Sequence, residues 1–292
     1  MIAIIRTSVS LLFPFSFCCL SAGAQVLPDF VEIPTPGKRA LVAAPEYIDT
    51  DVRHVVYLPP NWMPDKKWPV IVEYTGNYAP TLGSTGEIED AGLGFGVSGG
   101  ECIWVVLPYV SESRKHHEVK WWGDVDATVE YAKKNVPRIC EQFSGDADAV
   151  VVCGFSRGAI GTNFIGLHDD DIAKLWCGFL THDHYDGVRE WGGTDWGTPL
   201  KKYRNEAAER LRRIGDRPVL VSQNGSAAKT REYLEEVIPV ENFTFLDVPV
   251  PAIFGDFPNE IAIHPHTDRW LLKESPARNT VREWFTAAVG RL

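Results

Sequence analysis

The sequence runs to 292 residues, 45% of them apolar and 23% charged, a globular balance that excludes a disordered, collagen-like or coiled-coil chain. Acidic residues outnumber basic ones by 39 to 29, for a net charge of −10. Nucleic-acid binding runs on clustered cations and counterion release, so no nucleic-acid partner is expected.

The chain opens on a segment that reads as an address. Met1–Ala24 carries one basic residue (Arg6), an apolar stretch from Val9 to Leu20, and then Ala22-Gly23-Ala24. This is the pattern of a signal peptide cleaved before Gln25. Pro14, Ser10 and Ser16 interrupt the stretch, which falls short of the ~20 residues a bilayer requires, so no membrane insertion is expected. Cys18 and Cys19 follow Phe15-Ser16-Phe17, bulky where a lipid-attachment site wants small residues. The expected product is residues 25–292, secreted or periplasmic.

Beyond residue 40, apolar runs rich in Val, Ile and aromatics predict strands at Arg53–Leu58, Trp68–Glu73, Cys102–Pro108, Ala149–Cys153, Leu175–Leu180, Pro218–Ser222 and Phe243–Val248. Helix-period segments fall between most of them, at Asp124–Gln142, Gly158–Leu167, Pro199–Ile214 and Ala228–Val237. A last one, Ala277–Val289, follows Ser275 as N-cap and Pro276 at the first helical position. Short, nearly continuous hydrophobic strands alternating with helices predict a single α/β domain over 25–292. Its sheet is expected to be mostly parallel and covered by helices on both faces, a three-layer sandwich.

Two features invite specific chemistry and are read conservatively. Residues 76–100 hold eight glycines and form the longest irregular stretch, within which Gly94–Gly99 spells G-x-G-x-x-G. A dinucleotide site needs that motif to follow a strand and open a helix, whereas here it precedes the strand Cys102–Pro108, so no nucleotide cofactor is inferred. Cys102, Cys140, Cys153 and Cys177 permit zero, one or two disulfides after export. Cys153 and Cys177 sit in apolar runs and read as small buried hydrophobes.

The chemistry centres on Ser156. Ala149–Cys153 reads as a buried strand, Gly154-Phe155-Ser156-Arg157-Gly158 follows, and a helix comes next. In strand–G-x-S-x-G–helix the serine stands on a strained turn, and only glycine fits beside it. The helix N-terminus and the N–H of Arg157 then face negative charge building on a tetrahedral intermediate. A serine hydroxyl needs a base. His54, His116, His117 and His168 read as surface or packing residues, and the remaining four are His182, His184, His264 and His266.

The elbow, the late histidine and the strand–helix order resemble the α/β-hydrolase superfamily over almost all of residues 40–290. Leu58-Pro59-Pro60-Asn61-Trp62, the following Trp68–Gly76 strand and the Gly-Phe-Ser-Arg-Gly elbow are similar to secreted esterases of the dienelactone-hydrolase and polyhydroxyalkanoate-depolymerase kind. The resemblance implies a base after the last strand. His266 is preferred to His264, because Pro265 biases His264 toward extended backbone. It also implies a second oxyanion donor after the strand ending near Tyr74, for which the N–H of Asn77 is the candidate. The usual place for the triad acid, after Pro218–Ser222, holds Asn224 and no carboxylate. Relatives that take the acid one strand earlier point to Thr181–Gly187, where Asp186 is favoured over Asp183 because it lies farther out beside Gly187. A dyad relying on Asn224 is the alternative.

His182-x-His184-x-Asp186 also has the spacing of a zinc site, repeated at His264-x-His266-x-Asp268. Gly187 stands where the longer metal motif has a further histidine, and the serine would be left without a role, so no metal is expected. Trp121, Trp122, Tyr185, Trp191 and Trp196 are candidates to line a cleft. The reading is a serine carboxylic-ester hydrolase that needs no cofactor, acting on a small-molecule or polymer ester. A peptidase of the same fold and a catalytically silent binding protein are the alternatives.

Overall fold

The computed structural model describes residues 25–189, 200–255 and 265–290. The proposed signal segment, His264, Trp191 and Trp196 lie outside them. Nine strands are described: β1 (Phe30–Val31), β2 (Arg39–Val42), β3 (His54–Tyr57), β4 (Trp68–Tyr74), β5 (Ile103–Val106), β6 (Gly145–Phe155), β7 (Gly178–His182), β8 (Val219–Gln223) and β9 (Phe243–Asp247). They form one sheet in the order β1-β2-β3-β5-β4-β6-β7-β8-β9. From β5 across to β9 every neighbouring pair is parallel, and β3 runs antiparallel to both β2 and β5.

Helices cover both faces, as the near-continuous apolar strands require. They are α1 (Leu93–Ser98), α2 (Val125–Phe143), α3 (Arg157–Phe164), α4 (Asp170–Ala173), α5 (Leu200–Leu211), α6 (Ala227–Glu235), α7 (Val250–Phe254) and α8 (Pro276–Val289). Alternate residues of the central strands feed two separate cores. Val70, Val72, Val150 and Val152 meet Tyr131 and Ile139 of α2, Ile160 of α3 and Leu234 of α6. Ile71, Val151 and Cys153 meet Leu93 and Val97 of α1, Val250 of α7, and Val281 and Phe285 of α8. The C-terminal helix starts as the sequence indicates, with Ser275 Oγ accepting from Arg278 N–H at 3.1 Å and Pro276 in the first turn.

Two local expectations need correction. Residues 76–100 are not irregular throughout, because Leu93–Ser98 forms α1. The G-x-G-x-x-G run is that helix, and its glycines serve close packing. A Cβ on Gly94 would lie 2.6 Å from the Trp104 ring, and one on Gly96 would lie 2.6 Å from Leu271 Cβ. Strand β7 begins and ends later than the apolar run suggests, reaching His182 rather than Leu180. All four described cysteines are free thiols, with Cys102, Cys140 and Cys153 buried and Cys177 half-buried.

Candidate active site

The end of β6 delivers Ser156 into a backbone conformation that L-residues rarely hold, φ 56° and ψ −116°. Its neighbours explain the glycine pattern. A Cβ on Gly154 would lie 2.1 Å from the Gly158 carbonyl oxygen, and one on Gly158 would lie 1.8 Å from the Tyr74 carbonyl oxygen. No side chain survives those distances, so the chain can cross over itself there only with glycine. Ser156 N–H donates to His182 O at 2.9 Å, which fastens the turn to the end of β7.

His266 comes to the serine from 110 residues downstream, with Nε2 2.8 Å from Ser156 Oγ. Its Nδ1 lies 2.9 Å from Oδ2 of Asp183. A hydroxyl, an imidazole and a carboxylate thus form one hydrogen-bonded chain, with the imidazole able to take the hydroxyl proton. Asp183 Oδ1 accepts from Asn224 N–H at 2.8 Å, so Asn224 reaches the constellation through its main chain, holding the carboxylate. Burial alone would raise the Asp183 carboxyl. The hydrogen bond from His266, the nearby imidazoles and the Asn224 N–H outweigh it and hold the group below the usual carboxylate range.

The sheet and helices that carry these residues have a match among solved structures. S-formylglutathione hydrolase from Agrobacterium tumefaciens superposes with a TM-score of 0.50 at 14% identity, covering 87% of this chain and 95% of that one. The fold is that of the α/β-hydrolases. The feruloyl esterase module from Clostridium thermocellum, solved with sinapinate, gives a TM-score of 0.48 at 15% identity over 78% of this chain and 88% of that one. No family model and no curated protein matches the sequence. Identities this low compare folds and leave substrates open.

In this α/β-hydrolase fold the carboxylate at His266 belongs to Asp183, not to Asp186 as the sequence reading preferred. Asp186 is fully buried elsewhere, its carboxylate held by Arg210 (Nε 3.0 Å, Nη2 3.1 Å) and by the Tyr203 hydroxyl (2.8 Å). Gly187 does not swing the chain toward the serine. Its φ is 83°, and a Cβ there would lie 2.0 Å from the Tyr233 hydroxyl, so the glycine serves packing. Asp183 itself takes a left-handed φ of 64° directly after β7, a conformation that Asp tolerates better than most residues. Of the zinc-like spacings, His182-x-His184-x-Asp186 has its carboxylate turned to Arg210, and His264 of the second lies outside the described residues. Among the described residues no three His, Cys, Asp or Glu side chains are grouped to hold a metal.

The expected oxyanion donors lie on the two segments that flank the serine. Arg157 opens α3, where a first-turn N–H has no partner within the helix. Asn77 follows β4, and its side-chain oxygen accepts from Trp121 N–H at 2.8 Å while its carbonyl accepts from Ser84 Oγ at 2.7 Å. Beside Ser156 and His266 a cleft of about 240 Å³ is walled by polar residues including Glu73, Thr75, Asp90 and Asp268. An adjoining hollow of about 390 Å³ presents Leu82, Trp121 and Ile160 to the same serine. Trp121 therefore lines the site, whereas Trp122 and Tyr185 are buried in the core.

Sequence reasoning passed over three contributors. Phe155 sits between two imidazoles, its ring centroid 5.7 Å from His182 and 4.7 Å from His266. His182 is buried, with Nδ1 3.0 Å from Ser222 Oγ and Nε2 3.0 Å from both Thr267 O and the Trp270 indole nitrogen. Whichever of these Nε2 engages, His182 ties the His266 loop to the end of β7. Burial lowers its basicity, which favours the neutral ring that accepts from Trp270 and donates from Nδ1 to Ser222. Glu73, the one acid inside β4, accepts from Leu93 N–H (3.2 Å), Gly94 N–H (2.8 Å) and Trp104 Nε1 (2.9 Å). A lone carboxylate in an otherwise apolar strand was the signal available for it.

Proposed function

We propose that this chain is a serine hydrolase that cleaves carboxylic esters through an acyl-enzyme. The reading rests on one observation: Ser156 Oγ, His266 and Asp183 stand in a continuous hydrogen-bonded line, with the serine on a strained elbow at the edge of a cleft. Ser156 Oγ attacks the ester carbonyl as its proton passes to His266 Nε2. Asp183 keeps Nδ1–H directed away from the serine and stabilises the imidazolium that forms. The carbonyl oxygen gathers negative charge against the N–H groups of Arg157 and Asn77. His266 then returns the proton to the leaving alcohol, and a water activated by the same imidazole releases the acid. The two hollows, one polar and one apolar, suit an ester whose two halves differ in polarity.

Action outside the cytoplasm follows from the signal pattern of residues 1–24, and the exported protein is expected to begin at Gln25, which N-terminal sequencing reads directly. No helix among the described residues is long and apolar enough to cross a membrane. The deciding experiment pairs hydrolysis of p-nitrophenyl acetate with labelling by a fluorophosphonate. The wild type should turn over and label at Ser156, and Ser156→Ala should do neither while keeping its fold. Undiminished turnover in Ser156→Ala would remove the proposal.

A further inference from the structure

The residue after the nucleophile carries a side chain that the mechanism above does not use. Arg157 is 1% exposed, yet among the described residues it makes no ion pair within 4.0 Å. Its charge is met by oxygen atoms of three separate segments. Nη1 donates to Trp121 O (2.9 Å) and Glu118 O (3.1 Å), Nη2 to Thr75 Oγ1 (3.0 Å) and Gly86 O (3.5 Å), and Nε to Thr75 O (3.4 Å). The guanidinium lies 4.1 Å from the centre of the Tyr109 ring. Burial lowers its pKa to about 10, which leaves it charged at neutral pH. A buried guanidinium with no carboxylate in contact, only the more distant charges of Glu118 and Glu87, is costly, and an apolar side chain of the same length would fill the space more cheaply.

One of the segments it grips carries Asn77 and another is hydrogen-bonded to it. Thr75 lies two residues before Asn77, and Trp121 donates its N–H to the Asn77 side chain at 2.8 Å. Thr75 Oγ1 also donates to Gly86 O at 3.2 Å, closing the ring of contacts. Only a planar fork with five donors spans these acceptors at once, and an ammonium cannot. On the serine-hydrolase reading given above, we propose that Arg157 is a positioning residue for the oxyanion hole. Its side chain locks the Thr75–Asn77 turn and the Trp121 segment against the elbow. Its own N–H and that of Asn77 then converge on one oxygen.

The test compares wild type, Arg157→Lys and Thr75→Val on p-nitrophenyl acetate, with active sites counted by fluorophosphonate titration. An alkyl boronic acid, whose tetrahedral adduct places an oxygen in the hole, is measured as inhibitor. Misplacing one oxyanion donor costs about 10²–10³ in rate. Arg157→Lys is therefore expected to lose about 100-fold in kcat per titrated site, with KM within about twofold and boronic-acid affinity falling in parallel. Thr75→Val removes one acceptor of the fork and should lose about tenfold in the same pattern. A merely structural arginine would lower the melting temperature and leave kcat per site and the boronic-acid affinity alone, and that result overturns the proposal. Should Arg157→Lys fail to fold, Thr75→Val decides, and a kcat within about twofold of wild type refutes it. Absent wild-type turnover, or turnover surviving Ser156→Ala, sinks the hydrolase reading itself, whereas a loss confined to Ser156→Ala sinks only the role of Arg157.

Discussion

Two aspartates three residues apart should fail in opposite ways when made neutral. Asp183→Asn leaves the shape at His266 Nδ1 and removes the charge that stabilises the imidazolium. A neutral swap at this position costs about 10⁴ in kcat, or roughly 5 kcal/mol of transition-state stabilisation. Because the Asp183 carboxylate is held, among the described residues, by His266 and a main-chain N–H, the fold should lose little. Asp186→Asn instead strands Arg210, whose side chain is 12% exposed against 0% for Asp186. Breaking one side of a buried pair costs about 3–5 kcal/mol, and the slight exposure of Arg210 places this case near 3. For a chain of this size that lowers Tm by about 6–12 °C. The assay is kcat per fluorophosphonate-titrated site alongside thermal melts of both variants. A four-decade loss in Asp186→Asn with near-normal turnover in Asp183→Asn would refute the reasoning.

Gly158→Ala should abolish activity or folding outright, because its Cβ would fall 1.8 Å from Tyr74 O, and a soluble, fully active variant would contradict the elbow geometry. Burial, and next the charge of Asp268, push the Glu73 carboxyl up to about 7 from its ordinary 4.5. The folded state thus holds a proton the unfolded chain has released, so this contribution is complete below about pH 4.5 and fades as pH rises through about 7. Its size is on the order of 3 kcal/mol, and Glu73→Gln should flatten the fall in urea stability between pH 5 and 8 relative to wild type. Equal slopes in the two proteins would count against it. Turnover should survive exhaustive dialysis against a chelator, and loss restored by added zinc would reopen the metal reading of His182 and His184.

What could be read from the sequence was what local sterics dictate. Gly154 and Gly158 are demanded by backbone atoms within a few residues or on the adjacent strand, so the pattern around Ser156 announces itself. The layered fold is legible for a similar reason, since strands buried on both faces must be apolar almost throughout. The base needed one further rule, the order of elements along the chain.

The acid was less legible because its position depends on where β7 stops, and hydrophobicity gives the wrong stop. Thr181 and His182 are polar, yet both are fully buried, His182 because Ser222 and Trp270 satisfy it from elsewhere in the chain. Ending the strand at Leu180 makes Asp183 look too early in the loop and lends weight to Asp186 and its neighbouring glycine. Extending it by two residues puts Asp183 at the first bend, which an aspartate can take without glycine. The side chain of Arg157 was hidden more deeply. Nothing within the elbow signals that Thr75, Gly86, Glu118 and Trp121 would surround it, and contacts between segments tens of residues apart leave no local pattern. Residues that hold Ser156 in place are thus visible in sequence to the extent that neighbouring backbone constrains them. Those that tie distant loops together emerge only once the sheet has assembled.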